Sequence, residues 1–142
     1  MLVPRAITWA IAQAELALSR GSALDESQQR LARAVGVGDA HRIRLAVVDP
    51  MPMPDDPLLR AAALQSGLLG PDMIGLTLGY AVLVRRGHES DTRLLRHEFR
   101  HVYQYERAGS IAAFLPNYLA EIVQFGYTYA PSEVDARNHE QG

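Results

Sequence analysis

Four prolines crowd eight residues near the middle of this 142-residue chain, at Pro50, Pro52, Pro54 and Pro57. Each removes a backbone donor and biases the residue before it away from helix, so no helix or strand ladder can run through them. Residues 51–57 are therefore expected to form a rigid loop, and the fold must be assembled from short elements on either side of it.

Ahead of the loop, Ile7, Ile11, Ala14 and Leu18 recur at helical spacing, which predicts an amphipathic helix over residues 7–19 with Gly21 as its stop. Asp25, with Gln28 three residues on, makes a capping box for a second helix running through Leu31 and Val35 to Gly36, read as a surface or partner helix. Residues 43–48 are short, apolar and partly β-branched, and Asp49-Pro50 ends them, so a strand is expected.

Beyond the loop a helix is expected at residues 58–65, followed by an extended region over 74–85 in which Gly79 marks a bulge, bend or hairpin turn. Asp91 can cap a helix whose Leu95, Phe99 and Val102 form an apolar stripe, with Gly109 as its stop. A further helix opening with Pro116 at its first position and ending before Gly126, and a short one within 131–137, complete the reading. The fold class expected is α+β: one mostly helical domain over residues 1–142, with N-terminal helices in 1–40 and a small sheet or hairpin beside the helix that Asp91 caps.

Composition removes several function classes. Fourteen basic and sixteen acidic residues give a net charge of −2 with no block of either sign, so nucleic acid is not an expected partner. There is no cysteine, which excludes disulfides, thiolate metal sites and cysteine nucleophiles. Neither a signal-peptide core nor a membrane span is legible, so the expected location is cytoplasmic, with signal-independent secretion also compatible.

The chemistry sits in His97-Glu98-Phe99-Arg100-His101. On a helix, residues four apart share a face, so both imidazoles can reach one tetrahedral zinc ion, the expected cofactor, while Glu98 stands beside it without binding it. A carboxylate so placed can take a proton from a metal-activated water and pass it to a leaving amine, which is hydrolase chemistry. With 5 His in the chain the pattern would arise by accident in only about one chain of this composition in a hundred, so a surface helix with two idle histidines is the weaker explanation. The metzincin extension is absent, because Gln104 and Arg107 stand where it needs Gly and His. With no cysteine, the third ligand falls to a carboxylate, and Glu121 and Glu133, 20 and 32 residues beyond His101, are the candidates.

Three segments resemble the minimal gluzincins, small zinc-metallopeptidase domains of the DUF4157 type: Gly75-Leu76-Thr77-Leu78-Gly79, then Leu94-Leu95-Arg96-His97-Glu98-Phe99-Arg100-His101-Val102-Tyr103-Gln104, then Pro131-Ser132-Glu133-Val134-Asp135-Ala136. The likeness spans residues 75–137, and Phe99, Arg100 and Asp135 depart from its usual pattern. It implies a zincin-like fold, one zinc ion, peptide-bond hydrolysis with Glu98 as general base, and a peptide or protein substrate. It also favours Glu133, in a Glu-x-x-Ala context, over Glu121, whose spacing is similar to that of thermolysin-like enzymes. Asp135, or whichever of Glu121 and Glu133 is not the ligand, is the expected partner of a ligand imidazole, and Tyr105 and Tyr127 lead the candidates for oxyanion donor, with Tyr129, Arg137 and His139 behind them. Arg100 reads as a solvated side chain, His41 and His88 have no assigned role, and residues 75–84 are a candidate edge for peptide addition. The alternative function is a non-hydrolytic, zinc-stabilised interaction module.

Overall fold

The computed structural model describes residues 2–142. It is an α+β fold in which six helices surround one four-stranded mixed sheet. The first half supplies α1 (Leu2–Arg20), β1 (Ser22–Ala23), α2 (Glu26–Ala34), a 3-10 turn (Ala40–Arg42) and β2 (Arg44–Val48). The proline-rich loop follows, and then α3 (Pro57–Ser66), β3 (Gly75–Leu78), β4 (Ala81–Arg85), α4 (Thr92–Ala108), α5 (Ile111–Tyr129) and α6 (Pro131–Asn138).

The sheet order is β1-β2-β4-β3, with β2 and β4 parallel and the other pairs antiparallel. The centre of the sheet thus joins a strand from each side of the proline loop. Strand alternation divides the core in two. Ala46, Ala81 and Leu83 belong to a cluster with Ala10, Ala14 and Ala17 of α1, while Leu45, Val82 and Val84 belong to one with Leu95, Phe99 and Val102 of α4. Small residues along α1 let its backbone approach the sheet closely. Phe99 is the largest fully buried side chain, and its burial contributes roughly 1.5–3 kcal/mol to holding α4 on the sheet.

Several local signals act as the sequence suggests. Asp25 and Gln28 close a capping box, Asp56 accepts from Leu58 and Leu59 with Pro57 in the first turn, and Asp91 accepts from Leu94. Gly109 ends α4 at a φ of 103°, a left-handed conformation that suits glycine. The extended region is a hairpin whose two-residue loop begins at Gly79, with φ 65°.

Other expectations need correction. Pro116 lies inside α5, whose N-cap is Ser110, because the Ser110 hydroxyl accepts from Ala113 and starts the helix a turn and a half earlier. The helical path then breaks at Gly126 (φ 78°, ψ 164°), as expected. The second helix is, as expected, a surface helix with a partner: its outer face is exposed, and Leu31, Ala32 and Val35 cluster with Phe99 and Val102 of α4. Strand β1 is only two residues long and carries no readable period.

The far end of α4 is anchored by Glu106. Its carboxylate accepts from the Gly38 and Asp39 amides at 2.8 and 2.9 Å and from the Tyr80 hydroxyl at 2.6 Å. Partial burial disfavours its charge, but these three donors outweigh that and lower its pKa. A carboxyl group whose pKa falls on folding stabilises the fold above its unfolded pKa, near 4.5, and loses that contribution as pH drops through the folded value. In Glu106→Gln, denaturant unfolding measured across acid pH should show a flatter decline below about pH 4.5 than the native chain does; an unchanged slope would exclude this anchor.

Candidate metal centre

The two histidines sit one turn apart on α4, on the face that turns from the sheet toward α6. Their rings meet edge to face with centroids 4.9 Å apart. From α6, Glu133 reaches both: its Oε1 lies 3.2 Å from His97 Nε2, and its Oε2 lies 3.0 Å from His101 Nε2. The three side chains form a group able to hold a metal ion. It lies at the margin of the core, with Glu133 only 2% exposed and His101 7%.

The outer ring nitrogens decide which lone pairs point inward. His97 Nδ1 donates to Glu140 Oε2 at 2.9 Å, and His101 Nδ1 donates to Gln104 Oε1 at 2.7 Å. The direction of the second bond follows from Gln104 itself. Its amide nitrogen faces the Ser132 carbonyl and the Asp135 carboxylate, both acceptors, so its oxygen must face the imidazole. Each ring is thereby set with Nε2 toward Glu133; without a metal that nitrogen donates its proton to the carboxylate, and loss of the proton leaves the lone pair that a metal ligand needs.

Glu133 is held with equal care. The Tyr118 hydroxyl donates to its Oε2 at 2.7 Å. Burial acts to raise its pKa, but His101, His97 and Tyr118 overcome this and hold it well below the usual carboxylate range. Reciprocally, burial acts to lower the pKa of His101, and Glu133 overcomes it to push the ring up to about 9. His97 shifts upward for the same reason.

Glu121 is not in this group. Its carboxylate accepts from the Ser132 amide at 2.8 Å and from the Ser132 hydroxyl at 3.1 Å. Helix α6 has no capping side chain at its own N-cap, Ala130, and Glu121 supplies one from α5. Tyr118 and Glu121 are three residues apart on α5, so one helical face grips both Glu133 and the helix that carries it.

Glu98 lies on the sheet side of the histidines and is 5% exposed. The Thr77 hydroxyl, on β3, is 2.7 Å from Glu98 Oε1 and 3.0 Å from the Glu98 carbonyl, and its single proton serves one of them at a time. The other carboxylate oxygen rests above Gly75, where a Cβ would come within 2.8 Å of it. Here the absence of a side chain is a requirement of space.

The remaining candidates separate. Asp135 does not bond His97 or His101 directly; it holds Gln104, and it pairs with Arg100 at 2.8 Å. Arg100 is not a solvated side chain, since it also donates to the Val35 carbonyl at 2.7 Å and stacks on Tyr103, tying α2, α4 and α6 together. Tyr105 is buried against Phe114 and lines a pocket beside Glu98, and Tyr127, just past the break at Gly126, lines both that pocket and an open groove. Burial and the nearby Glu133 raise the pKa of the Tyr127 hydroxyl. Tyr129 is largely exposed, Arg137 donates to the Thr128 carbonyl, and His139 bonds the Asp135 carbonyl, so none of these three bonds to the cluster.

Sequence reasoning missed Tyr118, Glu140 and the role of Gln104. Only the last had a usable signal, being three residues after His101 on the same helix. Tyr118 and Glu140 reach the cluster from α5 and the C-terminal tail, where no spacing marks them.

No protein-family model, characterised protein or solved structure matches this chain, so its function must be argued from the site itself.

Removing the Glu140 carboxylate in Glu140→Ala should weaken metal affinity roughly ten- to a hundredfold while the fold is kept. Glu133→Ala should abolish uptake and Glu121→Ala should leave the stoichiometry unchanged. Metal titration with circular dichroism as the folding control checks all three; normal binding by Glu133→Ala would refute the ligand set.

Proposed function

We propose that the chain is a zinc-dependent peptidase, a minimal gluzincin in which His97, His101 and Glu133 hold the ion and Glu98 is the general base. The observation that carries this reading is that one buried carboxylate offers an oxygen to each inward-facing Nε2, at 3.2 and 3.0 Å. The ligand atoms of the three residues lie within 4.8 Å of one another, a spread that one ion bound at about 2.0–2.1 Å to each could draw together. Two imidazoles and one carboxylate are also the donors of open zinc sites that retain a position for substrate.

Zinc held there supplies Lewis acidity, polarising a carbonyl and making water a competent nucleophile near neutral pH. Glu98 performs the proton work. Thr77 engages Oε1, which leaves Oε2, above Gly75, to accept the proton of the attacking water. As the water oxygen bonds to the carbonyl carbon and the C–N bond breaks, Glu98 returns that proton to the departing amine. Tyr127, at the mouth of the groove, is the donor best placed for charge developing on the carbonyl oxygen.

A peptide is the favoured substrate because of the edge beside Glu98. Strand β3 is the last in the sheet. Its pairing with β4 is fixed by the two-residue loop and by the bond from the Arg85 amide to the Ile74 carbonyl at 2.9 Å. Leu76, Leu78 and Ile74 therefore bond inward, and the N–H and C=O groups of Gly75 and Thr77 point to the free edge with no backbone partner among the described residues. An extended chain can add there as a further strand, its amides registered next to Glu98.

The Glu98→Gln variant should bind zinc and fold as the native chain does, yet cleave a degenerate peptide pool at least about a hundredfold more slowly by mass spectrometry. Undiminished cleavage would eliminate Glu98 as the base, and cleavage by neither protein despite full zinc occupancy would favour the non-hydrolytic module. Gly75→Ala, which forces a methyl group into the Glu98 carboxylate, should lower the rate while sparing zinc content.

A further inference from the structure

Behind the metal centre lies a pocket of about 100 Å³ whose lining is mostly apolar, with the acidic and imidazole groups of the site at one side. That side holds Thr77, Glu98, His101 and Glu133; the walls include Trp9 and Ala10 of α1, Ala63 of α3, and Leu115 and Leu119 of α5. Much of the wall comes from the first half of the chain, which bears no chemical motif. Glu98, Gly75 and Tyr127 line this pocket and also the open groove that runs past His97, so the two spaces join at the carboxylate.

From this junction, and resting on the peptidase reading above, we infer that the pocket is the side-chain receptor of the enzyme: it takes one large apolar side chain, leucine- to phenylalanine-sized, next to the scissile bond. A chain lying along the groove with a carbonyl at His97, His101 and Glu133 has its neighbouring side chain directed at the opening beside Glu98. At about 100 Å³ the space is about two-thirds of an apolar cavity that accommodates benzene, so a leucine-sized group suits it and a phenyl ring is the upper bound. The walls carry no basic group to pair with an acidic side chain, and Glu98 and Glu133 at the polar end repel one. A lysine or arginine head would leave water among apolar side chains and could pair only with Glu98, the base itself, because Glu133 is already bonded to His97, His101 and Tyr118. The methyl-sized residues Ala10 and Ala63 are what keep the space open.

The test uses the full chain and probes anchored at either end of the pocket. On zinc-loaded protein, calorimetry compares acetohydroxamic acid with 3-phenylpropanohydroxamic acid, which share a metal-binding head and differ in the apolar tail. The phenyl compound should bind at least about tenfold more tightly, and the preference should vanish in Ala63→Phe, which fills the pocket. Equal affinities, or binding of neither compound by protein that holds zinc, would overturn the receptor while leaving the metal assignment standing. If the protein takes up no zinc, the peptidase reading falls, and toluene titrated into the metal-free chain decides the pocket: saturable shifts of the Leu115 and Leu119 methyl resonances in NMR support it, and their absence overturns it.

Discussion

The structure turns on a buried carboxylate shared by two imidazoles. Taking a charge such as Glu133 out of water costs several kcal/mol unless its oxygens find partners, and here all of its partners come from elements distant in sequence. His97 and His101 approach from α4 and Tyr118 from α5, while α6 carries the carboxylate itself. A shift of any of the three helices that broke these contacts while Glu133 stayed buried would leave its charge unpartnered, so the cluster constrains their relative positions.

Around this contact the chain builds successive supports. Gln104 links His101 to Asp135, Asp135 links Gln104 to Arg100, and Arg100 reaches the end of α2 at Val35. Glu121 caps α6 from α5, and Glu140 brings the C-terminal tail back to His97. The sheet contributes Thr77 and the bare surface of Gly75, which hold Glu98 on the other side of the histidines. The Glu98 carboxylate and the His97–His101–Glu133 group are thus positioned by different layers of the fold: one by the edge strand, the other by the C-terminal helices.

Division of labour extends along the chain. The second half carries the candidate site residues, while α1 and α3 from the first half and its margin form much of the apolar wall beside them. The alanines of α1 serve two ends at once, allowing close approach to the sheet and, at Ala10, leaving room in the pocket.

Much of this was legible in the amino-acid sequence because it is local. The α4 helix announces itself through Asp91, the Leu95-Phe99-Val102 stripe and Gly109; two histidines four apart must then share a face, since that is a property of helical pitch. The capping box at Asp25, the proline loop and the hairpin at Gly79 are likewise short-range rules of backbone sterics and hydrogen bonding. What tertiary structure alone decided is long-range. Glu121 and Glu133 are both acids downstream of the motif, and spacing barely separates them; they part because α6 begins without a cap and takes Glu121 for that purpose, while Glu133 faces inward. Tyr118 and Glu140 had no local mark, Arg100 looked solvated until α2 and α6 closed over it, and Pro116 was tolerated inside α5 once Ser110 had started that helix. Side chains near in space but far along the chain are chosen by how the elements pack, and no pattern within a single helix or strand records that choice.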